Sequence, residues 1–208
     1  MAAGDTDVSI ANRALLLLGH DSISSFTDGS AAASAVSQLY PETRDVCLGL
    51  YPWSFTINKI QLAKDTATPV SEWDYQFTLP ADMLTGVPRA VHASATTRAL
   101  FKDFEINRAA DGLAKLFTNA TTIYIDYQAQ TGEDRFPQYF VQLLTYQVAA
   151  ILAEVITDQI TKAAHWHQVA LGPPSENGRG GFFRQAANMD SAGRPSEIIA
   201  EYMLTDVR

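Results

Sequence analysis

The chain has 208 residues, 47% of them hydrophobic and 10% aromatic, with a formal net charge of -8. That apolar content can build a real core, which excludes wholesale disorder, and the length suits one domain or a domain with an insertion. An acidic chain gains nothing from counterion release at phosphates, which disfavours tight DNA or RNA binding, and a single cysteine, Cys47, excludes both an intrachain disulfide and a cysteine-rich zinc site.

Thr6 or Asp7 can cap a first helix whose buried side carries Ile10, Ala11, Ala14, Leu15, Leu17 and Leu18, with Gly19 as its stop. That apolar arc is wide, so the helix is expected to be covered on more than one side. A polar connection from His20 to Gly29 follows, anchored by Ile23 and Phe26. The second helix is expected from Ser30 to Leu50, with Val36, Leu39, Tyr40, Val46, Cys47 and Leu50 as its apolar positions. Pro41 should kink it or start it anew, because proline lacks an N–H and clashes with the preceding turn. Tyr51-Pro52-Trp53 closes it.

A β block begins near Phe55. Residues Thr56 to Ile60 alternate weakly, and Tyr75, Phe77 and Leu79 fall on one strand face with Gln76 and Thr78 on the other. Further short strands are expected around Val87 to Val91, Phe104 to Ile106, Leu116-Phe117 and Thr122 to Tyr127, with Asp111-Gly112 as a hairpin signal. Four to six short strands imply antiparallel pairing.

After the polar connection Gly132 to Arg135, Pro137 suits the first turn of a long helix. Phe140, Leu144, Val148, Ile151, Leu152, Val155 and Ile160 give it a continuous stripe as far as Leu171. Its 35 or so positions would span roughly 50 Å. Gly172-Pro173-Pro174 ends it, and the glycines at 178, 180 and 181 predict a flexible stretch from Ser175 to Gly181. A short helix is expected from Phe182 to Met189. The tail from Ser196 to Arg208 is apolar for a terminus, which predicts that it docks on something. The elements together define an α+β fold: a helical bundle with a long helix in its C-terminal half and an inserted small antiparallel β-rich region. The expected divisions are 1–54 (first bundle helices), 55–135 (β-rich insertion), 136–172 (long helix) and 173–208 (flexible C-terminal segment).

The chemical signals are sparse. Cys47, between Val46 and Leu48, reads as a buried structural thiol. His165 and His167, two apart on a helix, point to different sides and cannot share a metal. Asp103 with Glu105, and Glu133 with Asp134, read as solvated surface rather than acid–base pairs. Gly178-Arg179-Gly180-Gly181 lacks the Lys-Ser or Lys-Thr of a phosphate loop. Trp53 reads as core, whereas Trp73, Tyr75 and Trp166 are candidates for inter-subunit or tail contacts. No catalytic, cofactor or metal residues are assigned, and the chain reads as a non-enzyme. The N-terminus carries no signal-peptide pattern, and the window Phe140 to Ile156 reads as too short and too polar for a membrane span.

Several segments occur in an order that resembles a known family. They are Leu15 to Gly19, Tyr51-Pro52-Trp53-Ser54-Phe55, the stretch Tyr75 to Leu84, and Ile125-Asp126-Tyr127 before a long helix. The chain resembles, over roughly residues 8 to 170, the phage head-to-tail adaptor (connector) proteins called tail tubular protein A. The resemblance implies a virion structural protein made in the host cytoplasm. It implies a homo-oligomeric ring, usually of twelve copies, beneath the portal protein. A downstream tail or nozzle protein would dock below, and genomic DNA would pass through the channel without sequence-specific binding. It implies no cofactor, catalytic site or membrane. By family position and by its own composition, the C-terminal segment is the candidate portal-binding element, through Ile198, Ile199, Tyr202, Met203 and Leu204. A negative channel would let DNA slide, so basic residues are expected to be sparse on its wall. Another neck component, a stopper or tail-terminator-like completion protein, is the alternative; a small phage hydrolase is the remote one.

Overall fold

The computed structural model describes residues 5–97, 99–109 and 111–193. The chain is α+β, and its described residues form five α-helices and two three-stranded antiparallel sheets. Helix α1 spans Asp7–Leu18. Thr6 caps it, and Thr6 and Ser9 exchange side-chain-to-backbone hydrogen bonds in a reciprocal box, an arrangement that stabilises a helix start by about 1 kcal/mol. Gly19 ends it in the left-handed region (φ 78°), where its N–H and that of His20 reach back to the Leu15 and Leu16 carbonyls. Ile10, Ala11, Ala14, Leu15 and Leu18 are buried. Leu17, expected inside, is outward, so the buried arc is narrower than the sequence indicates.

Helix α2 (Ala31–Gly49) begins at Ser30, whose hydroxyl accepts the Ala33 N–H. It runs unbroken through Pro41; the missing proline N–H leaves the Ser37 carbonyl without its helical donor. Val46 and Leu50, expected in the core, face outward. Just beyond, Trp53 is wholly buried and its indole N–H donates to the Cys47 carbonyl at 3.0 Å. Tyr51, Phe55, Tyr139, Phe140 and Phe183 all pack around that ring.

The strands among the described residues are β1 (Ile57–Gln61), β2 (Tyr75–Thr78), β3 (Ala90–His92), β4 (Phe104–Arg108), β5 (Ala114–Thr118) and β6 (Tyr124–Gln128). One sheet has the order β1-β6-β3, the other β2-β5-β4. Phe77, Leu116 and Ile106 are direct cross-strand partners on one face of the second sheet, and they join Val91, Ile123, Ile125 and Tyr127 in a β core distinct from the bundle core. Gln128 ties the two parts together. Its side-chain amide donates to the carbonyls of Leu48 (2.6 Å) and Tyr51 (3.0 Å), at the end of α2.

The long C-terminal-half helix is α3 (Gln138–Thr157), which packs against α1 and α2. It is 20 residues long, or about 30 Å, and does not continue to Leu171. Asp158 adopts a left-handed conformation (φ 51°), its N–H still bonded to the Glu154 carbonyl, and Gln159 is extended. Helix α4 (Ile160–Leu171) then folds back along α3, stacking Trp166 on Tyr146. Ile151, Val155 and Ile160, assigned to one buried stripe, are exposed. By length and hydropathy α3 passes as a membrane span, against the sequence reading of its window; 61% of that window is buried inside the protein.

The stretch 172–181 is a closed, hydrogen-bonded connection rather than a linker. The Gly180 N–H returns to the Leu171 carbonyl, Glu176 pairs with Arg184, and a β-carbon on Gly181 would collide with backbone atoms of Gly172, Val169 and Gln168. That close approach is what the glycine serves. Helix α5 (Gly181–Ser191) follows and packs on α3 and α4, adding Phe183 and Ala186 to the bundle core.

Candidate interaction surfaces

Strand alternation builds the first surface. In the β2-β5-β4 sheet, Gln76 and Glu105 stand opposite Phe117, while Thr78 and Asn107 stand opposite Lys115. Directly paired residues share a face, and this is the face turned away from the β core. The segment Ala67 to Trp73 lies over it, and together they enclose a cavity of about 500 Å³. Trp73 sits on its rim, half-buried, with its indole N–H donating to the Glu105 carboxylate at 3.2 Å. Tyr75 is beside it in sequence but turned to the other side of the strand, with the Lys64 ammonium 4.2 Å above its ring.

Lys115 lies at the floor of this cavity, its side chain 8% exposed. Its ammonium donates to Asp65 and to Asp111, both at 2.6 Å. Asp65 also accepts from the Thr78 hydroxyl at 2.8 Å. Hydrogen bonds to Asp111 and Asp65 raise the Lys115 ammonium above its ordinary range. Burial works against the Asp65 carboxylate, but the bonds from Lys115 and Thr78 outweigh it and hold it below the usual carboxylate range. Asp111 is held down by Lys115 and by the Leu113 N–H. A buried lysine with two carboxylate partners is a fixed electrostatic clamp. It closes the Asp111-Gly112 hairpin against the segment carrying Asp65.

On the first sheet, His92 is buried between two acceptors, the Ala99 carbonyl (3.0 Å) and the Asp126 carboxylate (3.3 Å). Lys59 stands 3.8 Å from the other Asp126 oxygen, which has no hydrogen bond among the described residues.

The second surface lies on the bundle. Arg13, Leu16 and Leu17 of α1 and Gln138, Val141, Gln142, Thr145 and Tyr146 of α3 line a mostly apolar groove of about 340 Å³. Leu16 is 75% exposed there. Farther along α3, Ile151 (40% exposed) and Val155 (59% exposed) form an outward pair one turn apart. Trp166 is part of the packed bundle, half-buried against Tyr146.

The structure therefore brings Trp73 to a cavity rim, places Tyr75 on the neighbouring strand face, and sets Trp166 far from both in sequence, on α4. Ile198, Ile199, Tyr202, Met203 and Leu204 lie outside the described residues. The Lys115 clamp, the His92–Asp126 pair and the α1–α3 groove were not anticipated. A lysine within the β5 alternation was the one available signal for the first. Among the described residues, no group of three or more His, Cys, Asp or Glu side chains converges as a metal site would. No family model matches the chain, and no curated protein matches it.

Proposed function

We propose that the chain is a structural head-to-tail adaptor that closes into a ring beneath a phage portal, links capsid to tail and continues the DNA channel. The family resemblance of the ordered segments from Leu15 to Tyr127 is the starting point. The observation that carries the reading is the outward placement of large apolar side chains on the bundle helices: Leu16, Leu17, Val46, Leu50, Ile151, Val155 and Ile160. These helices bury one side in a complete core and still present aliphatic side chains outward. Scattered exposed apolar residues are ordinary on a monomer, but an apolar groove beside Leu16 and Leu17 and a separate outward pair, Ile151 and Val155, offer the two unlike patches that head-to-tail contacts need.

The net charge of -8 supports the same reading, because an acidic wall repels DNA and lets it slide. The C-terminal segment from Ser196 is assigned to the portal. Deleting residues 196–208 should leave the fold intact and weaken attachment, measured as co-sedimentation of the truncated chain with portal. Undiminished co-sedimentation would contradict that assignment.

A further inference from the structure

A ring of identical subunits needs two different patches that fit each other and face in different directions. Helix α3 carries such a pair. Gln142, on the rim of the α1–α3 groove, and Ile151, on the outward ridge, are about two and a half turns apart, which puts them on opposite sides of the helix. The ridge is Ile151 and Val155, with the exposed carboxylate of Glu154 beside them. The groove is floored by Val141 and walled by Leu16 and Leu17. Its rim carries the half-exposed Arg13, whose guanidinium spends one donor on Asp5 and keeps the rest for another carboxylate.

We propose that the ridge of one copy seats in the α1–α3 groove of the next, with Ile151 and Val155 against Leu16 and Leu17, and Glu154 reaching Arg13. The occupant is a second copy of this chain. The ridge is aliphatic with the Glu154 carboxylate at one edge; the groove is aliphatic with the Arg13 guanidinium, held by Asp5, at one edge. Because they face opposite ways, the contact is head-to-tail and cannot be satisfied by a closed two-fold dimer. This rests on the ring reading above and names the faces that make the ring.

The test uses the full chain carrying Leu16→Cys and Val155→Cys together, cross-linked with a short bis-maleimide at high protein concentration. Cys47 is 1% exposed and stays out of the reaction. A ladder of dimers, trimers and larger species is expected from the double variant, with neither single variant giving more than traces. Glu154→Arg added to the double variant should thin the ladder at least fivefold without shifting the melting temperature. A ring-sized particle by light scattering with no 16-to-155 cross-link overturns the proposed faces and leaves the adaptor reading standing. Dimers from a single-cysteine variant overturn the head-to-tail geometry. A chain of one-subunit mass with no ladder overturns the self-contact, and portal co-sedimentation then tests the adaptor reading separately.

Discussion

The Asp190 carboxylate on α5 accepts the Ser54 backbone N–H with both oxygens, each at 3.0 Å, across 136 positions of sequence. The same carboxylate accepts the Ser54 hydroxyl at 2.6 Å and the Tyr139 phenol at 2.7 Å. It thereby locks the last described helix onto the turn after Trp53 and onto the start of α3. Hydrogen bonds to a charged acceptor contribute about 1.5–3 kcal/mol, and orphaning the buried donors adds to the loss. Asp190→Ala should cost about 3 kcal/mol in urea unfolding, and Asp190→Asn about half of that. An unchanged denaturation midpoint in Asp190→Ala would show that α5 is held by its other contacts, Phe183 and Ala186 in the core and the Arg184–Glu176 pair among them.

The Lys115 clamp gives stability a defined pH dependence. Asp65 and Asp111 are held below their ordinary values, so their contribution is full above about pH 4 and is lost as pH falls through the lowered values. Lys115 is raised, so its contribution is full below about pH 10.4 and is lost as pH rises beyond it. Lys115→Met should lower the melting temperature at pH 7 and flatten both limbs of the stability–pH curve. Melting curves across that range check it; limbs unchanged in the variant would remove the clamp from the account.

Leu144 and Ile151 separate core from surface on one helix. Leu144 is fully buried, and Leu144→Asp places an unpaired charge there, a loss of more than about 4 kcal/mol that should prevent folding. Ile151 is 40% exposed, and Ile151→Asp should fold within about 1 kcal/mol of the parent. Circular dichroism of both variants distinguishes them.

Cys47 should be inert in the native protein. Burial alone pushes its thiol up to about 12, so almost no thiolate exists near neutral pH. A colorimetric thiol reagent should titrate no cysteine in native protein at pH 8 and one per chain in denaturant. Rapid native reaction would mean that the α2 core opens.

Much of this fold was legible because local chemistry and tertiary packing agreed. Thr6, Ser30 and Gly19 mark helix ends by capping alone, and Asp111-Gly112 marks its hairpin. The strands announced themselves by alternation, although β3 begins at Ala90 rather than near Val87. The break at Asp158 was hidden for a physical reason. No glycine or proline stands there, aspartate enters the left-handed region only at modest cost, and the apolar stripe runs on across the turn. The same stripe mixed two kinds of residue, core ones such as Leu144 and outward ones such as Ile151, because periodicity does not say how many sides of a helix are covered. Glycines at 180 and 181 looked like linker chemistry, whereas Gly180 leaves room for the Glu176 side chain and Gly181 permits close backbone approach. Of the surfaces, only Trp73 was singled out beforehand at the place where the cavity lies; the Lys115 clamp and the α1–α3 groove depend on pairings between distant segments that no local pattern encodes.

If the outward aliphatic side chains join copies and neighbours as proposed, imaging the purified full chain mixed with portal should show a closed ring of this chain seated on the portal, with the helices carrying Leu16 and Val155 at the contacts between copies. Single, unassociated subunits beside bare portals, at every concentration tried, would contradict the proposal.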